Sequence, residues 1–369
     1  MRPTLAVGRR LGGLAIVFLG VTFLIYAMTF ALPGDPIRAL GGDRPLSDAV
    51  VRTLRAEYHL DQPLWLQYVQ YVGGLFRGDF GTDFNGQSVG EQMASRWPVT
   101  ITLALTAWAL EIVLGIGLGV LSALKRGTAL DKTVLVGTIV VGAIPVFVLG
   151  VALQLVFSVR LHWFPVAGVT AGWPTAYILP AFVIALFGLA AVSRLTRTSM
   201  IETLDADYVR TARAKGLAPG RIVGVHVMRN SLIPTATYLA TDLGYLMGGT
   251  VIIEGIFNLP GVGNLLFQGI RSHEGAVVVG ISTALILVFL VTSVLVDLLH
   301  AALDPASGPE QPHDHLSAQR HRRTRRRRPT TTPAGRGPHP GLLGARLGPG
   351  RRAAHRVVPA AVRRTVRPR

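Results

Sequence analysis

The stretch PVTITLALTAWALEIVLGIGLGVLSAL, Pro98–Leu124, holds a single charged residue, Glu111. A helix needs about 20 predominantly apolar residues to cross the hydrocarbon core of a bilayer, and this run is long enough. Five further runs read the same way. Leu11–Leu32 carries no charge and follows Arg2, Arg9 and Arg10. It is long for the apolar region of a signal peptide, and no clean small-residue cleavage site follows, so it reads as a retained first helix. Thr133–Val159, Ala171–Ser193, Ser231–Ile253 (interrupted by Asp242) and Gly275–Val296 complete the set. The expected fold is an all-α integral membrane protein with six transmembrane helices.

Composition agrees. Half of the 369 residues are apolar and 15% are charged, against roughly a quarter charged in soluble domains. With no cysteine, disulfides, thiolate metal sites and cysteine nucleophiles are excluded. A net charge of +17 would ordinarily point to nucleic acid, but its distribution removes that reading. Residues 306–369 hold 16 arginines against Glu310 and Asp314, while the remainder has 21 basic and 18 acidic residues. The body is nearly neutral, and no nucleic-acid partner is expected. The tail, rich in Arg, Pro, Gly and Ala, cannot bury a core and is expected to be disordered. Two readings of it stay open: a shifted reading frame in a GC-rich gene, or a basic tail on the anionic inner leaflet.

The polar, aromatic segment 33–97 is expected to form an extracytoplasmic helical region. Ser47–His59 and Gln62–Phe76 show helical spacing, and Asp61-Gln62-Pro63 and Gly78-Asp79-Phe80-Gly81 read as turns. Lys and Arg in short loops set orientation. The N-terminus (1–32 with the first span), Lys125/Arg126/Lys132, the basic stretch 194–230 and the C-terminus fall on one side, which is then cytoplasmic. This implies a multi-pass plasma (inner) membrane protein with both termini inside. Gly115, Gly117 and Gly119, and the pair Gly244 and Gly248, are expected to let helix backbones approach. Pro145 is expected to kink the third span.

Within the core segment 98–305, the informative cytoplasmic stretch is Glu202–Leu217, ETLDADYVRTARAKGL. Asp205 or Asp207 suits a helix start, and Gly216 after Lys215 is a natural stop. A short helix within 205–217 is expected, with Tyr208, Ala212 and Lys215 on one face by spacing. That face suits a socket on a partner protein. The residues alone leave open an amphipathic helix lying on lipid.

Asp207-Tyr208-Val209-Arg210-Thr211-Ala212-Arg213-Ala214-Lys215-Gly216-Leu217, followed by His226 and Arg229-Asn230-Ser231-Leu232-Ile233-Pro234, resembles the cytoplasmic signature of binding-protein-dependent ABC importer permeases. Within these it is similar to the dipeptide/oligopeptide (and nickel) group. The general signature has Glu-Ala-Ala, three residues, then Gly. Here those positions are Arg210-Thr211-Ala212 and Gly216, so the glutamate is absent, as is usual in the peptide branch. Asp35-Pro36, Leu60–Pro63, Gly78–Gly81, Arg96–Thr100, Ile144–Phe147, Phe164–Gly168, Glu254–Phe257, Pro260–Gly263 and Leu303–Pro305 fit the same resemblance, which runs from about residue 5 to 305. It implies pairing with a second homologous permease. It also implies docking of Asp207, Tyr208, Arg210, Thr211, Ala212, Arg213, Lys215 and Gly216 on one or two ATPase subunits that carry ATP and Mg. An extracytoplasmic binding protein would deliver substrate to the outer face, and helical bundles would rock between inward and outward access.

Glu111 and Asp242 lie deep in their spans. Intramembrane carboxylates are costly and usually face a cavity or a partner. They are candidates for the translocation path, with helix–helix hydrogen bonding as the alternative. Glu254, at the outer end of its span, is a third candidate and is suited to order the loop containing Pro260. Gln154 is a weaker candidate. Asp297 and His300 read as interfacial. No phosphate-binding Gly-x-x-x-x-Gly-Lys-Ser/Thr loop occurs, so energy must come from another chain or an ion gradient. His273-Glu274 lacks the second histidine of a zinc-protease motif, His313 and His315 lie in the tail, and no Gly-x-Ser-x-Gly elbow exists. The chain is not expected to be an enzyme. Rival readings are the same fold moving nickel chelates, opines or oligosaccharides, an ion-coupled transporter acting alone, and a non-transporting scaffold.

Overall fold

Apolar runs become helices because, in hydrocarbon, a chain must satisfy its backbone donors and acceptors internally. The computed structural model describes residues 3–30, 47–57 and 61–303, all within one unit, Met1–Ser307. Among the described residues the regular structure is helical, apart from an isolated bridge between Thr82 and Ser88. Asp35-Pro36, Leu60, the side chains of Asp297 and His300, and the tail with His313 and His315 lie outside the described residues.

The main helices are α1 (Pro3–Phe30), α2 (Asp48–Glu57), α3 (Leu64–Leu75), α4 (Val89–Leu124), α5 (Ala129–Ala143), α6 (Val146–Leu153, continued by a π-helical turn Gln154–Arg160), α7 (Thr175–Leu204), α8 (Asp207–Ala214), α9 (Ile233–Ile256), α10 (Val262–Arg271) and α11 (Gly275–Leu303), with short helical turns over 219–231 between α8 and α9. Four of them, α1, α4, α7 and α11, are long and apolar enough to cross a membrane. A fifth span results if α5 and α6 are counted as one broken span.

Several expected boundaries move. α4 starts at Val89 instead of Pro98. Ser88 caps it by accepting from the Glu91 N–H at 3.4 Å, and Val89 and Met93 pack against Val262, Leu265, Val277 and Ile281. Burial on the N-terminal side outweighs the one hydrogen bond that Pro98 removes. α7 runs past Ser193 to Leu204, because Arg197 finds a partner in Asp131 and Met200 is buried. Pro145 does more than kink its span: α5 and α6 meet at 102°. Ile144 is extended, at φ −92 and ψ 128, as steric clash with a following proline ring demands.

The core is built on the α4–α7 pair, with α9 packed against both. Gly115 and Gly119 lie at the α4–α7 contact. A Cβ on Gly115 would sit 2.7 Å from Val192, and one on Gly119 would sit 2.6 Å from Thr196. Gly117 faces open space. Gly244 meets Thr292 on α11, whereas Gly248 meets nothing. Three of the five glycines flagged by sequence therefore serve helix contact.

Candidate functional site

α8 begins where Ala206, at φ −68 and ψ 148, turns the chain out of α7. Neither aspartate caps it with a side-chain hydrogen bond. Asp205 closes α7 and pairs with Arg126 at 3.5 Å. Asp207 is the first helical residue, where the dipole favours its charge, and lies 3.5 Å from Arg210. The expected stop is present: Gly216 adopts φ +75. The Leu217 N–H donates to Ala212 O at 3.3 Å and the Gly216 N–H to Arg213 O at 2.9 Å. These two bonds make a Schellman cap, which needs a left-handed residue at Gly216.

The expected outward face is divided. Ala212, 8% exposed, turns inward with Val209, which is fully buried. They pack on Met200, Ile222, Val227 and Ala123. Asp207, Tyr208, Arg210, Thr211, Arg213 and Lys215 remain exposed. Sequence spacing grouped Ala212 with Tyr208 and Lys215, but the apolar stripe that decides the seating is Val209–Ala212. The readable signal was Val209, a β-branched apolar residue in an otherwise polar segment. Tyr208 is tied to 219–231: its hydroxyl donates to His226 O at 3.4 Å and accepts from Asn230 Nδ2 at 3.0 Å.

Beneath α8 lies a polar lock that sequence reading missed. The Arg197 guanidinium donates to both Asp131 oxygens at 2.7 and 2.8 Å. Asp131, 3% exposed at its side chain, also accepts from the Gly127 N–H at 2.9 Å and from Ser122 Oγ. A bidentate, charge-assisted pair of this kind is both strong and directional. It joins the α4–α5 turn to α7, the helix that leads into α8. Asp131 and Arg197 stand 66 residues apart in the chain, so no local pattern joins them.

The intramembrane candidates fall in two places. Glu111 on α4 is fully buried. Its carboxylate presses on Gly188 of α7, where a Cβ would overlap it, and it neighbours Asp242 on α9. Asp242 is half-buried, with Tyr238 3.5 Å away. Glu254 is separate. Its Oε2 accepts from the Asn264 N–H at 2.9 Å, and Gly261 and Gly263 close around it with no room for a Cβ. Thr100 Oγ1 accepts from the Val262 N–H at 2.9 Å. The loop containing Pro260 is thus folded around Glu254. Gln154 donates to Val166 O at 2.8 Å and Ile256 O at 3.2 Å, tying the α6 segment to the 161–174 loop and to the end of α9. Nearby, Asp83 organises its turn by accepting from the Asn85 and Gln87 N–H groups at 2.9 and 2.8 Å. Burial, with the Asp83 charge adding to it, lifts the Glu274 carboxyl above the ordinary carboxylate range.

Residues 115–308 match the family described as binding-protein-dependent transport system inner membrane component, and residues 5–104 match its N-terminal companion. The chain belongs to this family, the permease subunits of ABC importers. A peptide transport system permease protein of Brucella abortus (strain 2308) is 39% identical over 296 residues, covering 78% of this chain and 94% of that one. The dipeptide transport system permease protein DppB of Escherichia coli (strain K12) is 34% identical over 328 residues, covering 80% and 96%. The glutathione transport system permease protein GsiC of Salmonella choleraesuis (strain SC-B67) is 35% identical over 300 residues, covering 81% and 97%.

Proposed function

We propose that the chain forms, with a second homologous permease, the translocation path of an ATP-driven importer for di- and oligopeptides. The observation that carries this reading is the seating of α8. Its apolar side is fixed to the transmembrane bundle through Val209 and Ala212, and its charged side is left exposed. Such a helix transmits force: a push on the exposed side moves α7 and α4 as a body. Asp207, Tyr208, Arg210, Thr211, Arg213 and Lys215 contact an ATPase subunit, with Gly216 holding the terminal turn and Ala212 the base. The names of the relatives support a peptide cargo.

In this reading α9 is the remaining span, giving six with the broken α5–α6 pair. The α8 end of the bundle is cytoplasmic. Lys125 and Arg126 lie in the α4–α5 turn at that end, and Arg126 pairs with Asp205 at the start of the α8 segment, in keeping with positive residues on the inner side. A binding protein delivers substrate at the opposite end. Asp242, backed by Glu111, supplies negative charge to the path. Glu254 orders the outer loop.

The test is mass spectrometry of the natively expressed chain purified in mild detergent. Recovery with one homologous permease and one or two ATPases is expected. Recovery alone, in a stable complex, would instead favour an ion-coupled transporter centred on Glu111 and Asp242.

A further inference from the structure

The segment between α1 and α4 reads as external, yet α3 packs on two of the long apolar helices, α1 and α11. Its sequence, LWLQYVQYVGGL, has no charge and is bracketed by Asp61 and Arg77. Tyr68 donates to Leu19 O at 2.8 Å and lies 2.7 Å from Thr22 Oγ1. Tyr71 donates to Thr283 Oγ1 of α11 at 2.8 Å. Arg9 and Arg10 mark the charged end of α1, and at 1.5 Å per residue Leu19 is about 12 Å beyond Leu11. In a hydrocarbon layer about 30 Å thick that is near the middle. α3 therefore packs on the stretch Leu19–Tyr26 of α1, with the Tyr68 hydroxyl reaching the inner end of that stretch, so it lies beside the C-terminal half of a membrane span.

The two faces of α3 fit that depth. On the packed face the polar atoms are satisfied by protein: Gln67 Nε2 donates to Gln62 O at 2.7 Å, and Tyr26 donates to Gln67 Oε1 at 3.3 Å. Tyr68 stacks edge-on with Phe23, at 5.1 Å between ring centroids. The opposite face exposes Trp65, Val69 and Phe76, the last at 88%, in one stripe by helical spacing. Gln70 flanks the stripe. α1 itself exposes an apolar face that includes Leu24 and Met28. An uncharged helix of this length is too short to span and suits a re-entrant or interfacial element.

We propose that α3 is embedded in the bilayer leaflet at the C-terminal end of α1, with Trp65, Val69 and Phe76 against lipid acyl chains. The rest of the polar 47–97 segment is held at the surface by this wedge. The inference requires only that α1 spans the membrane, and it stands whatever cargo the importer carries.

Because the chain has no cysteine, a single introduced cysteine carries a spin label at one site. The assembled transporter, with partner cysteines replaced by serine, is reconstituted in phosphatidylcholine/phosphatidylglycerol vesicles. Collision of the label with oxygen and with a water-soluble nickel chelate is then measured at Val69→Cys and Phe76→Cys. Leu24→Cys on α1 and Asn85→Cys in the 81–88 turn are the lipid and water references. The expected result is loss of nickel accessibility at both α3 sites to the level of Leu24→Cys, with oxygen accessibility retained. Nickel accessibility matching Asn85→Cys would overturn the proposal in favour of a water-exposed helix. Exclusion of both reagents would also overturn it, assigning the stripe to a protein partner. If either variant fails to co-purify with its partners, Gly73→Cys replaces it, since nothing lies within 4 Å of a Cβ there.

Discussion

Gly188 and Glu111 show how one missing methyl group decides where a charge can sit. A Cβ at 188 would overlap the Glu111 carboxylate. Gly188→Ala should therefore destabilise the purified complex by about 1–3 kcal/mol, the usual cost of overpacking. The double variant Glu111→Ala/Gly188→Ala should recover most of that loss, because the two residues share one space. Chemical denaturation followed by intrinsic fluorescence reads both. The Asp131–Arg197 lock makes a second case. Arg197→Ala leaves a buried carboxylate without its partner, and removing one member of a buried pair costs about 3–5 kcal/mol. Arg197→Ala/Asp131→Ala should cost less than Arg197→Ala alone. A double variant that is worse than the single would mean that Asp131 is held by Ser122 and Gly127 without help from the arginine.

At the scale of elements, α8 carries the sharpest expectation. On the proposed docking role its buried floor and its exposed side have different duties, so substitutions should sort by side. Reversing charge with Arg210→Glu and Lys215→Glu touches no buried group, so membrane insertion and stability should stay normal while association with the ATPase falls. Ala212→Trp overfills the pocket formed with Met200 and Val227. Gly216→Val forces a β-branched residue to φ +75, a conformation costing about 1–2 kcal/mol for L-residues. Both should uncouple ATP hydrolysis from uptake while insertion survives. Paired assays of phosphate release and tracer uptake in vesicles check this, and full uptake in both variants would count heavily against the docking role. The α5–α6 break belongs to the same scale. A hydropathy window sees one apolar run from Thr133 to Val159, whereas Pro145 makes two helices meeting at 102°.

For the whole molecule, the family match ends at residue 308, and the described helices end at Leu303. Deleting 306–369 should therefore leave membrane insertion, assembly and uptake intact. Quantitative immunoblotting beside uptake decides it: a large loss of transport at normal expression would give the arginine-rich tail a function and remove the frame-shift reading.

The amino-acid sequence by itself determined the membrane class, the approximate place of the apolar runs, the short helix near 205–217 with its glycine stop, and the family. Each of these rests on local information: run length against bilayer thickness, helical spacing, and a left-handed residue after a helix. Only the tertiary structure decided which side of α8 faces inward, that Asp131 and Arg197 are partners, that Glu111 lies against Gly188 while Glu254 gathers a loop, and that α3 packs on the C-terminal half of α1. Those outcomes depend on pairs such as Tyr68 with Leu19 and Tyr71 with Thr283. Such residues are remote along the chain, and their meeting is set by how whole helices pack, which no local pattern of side chains encodes.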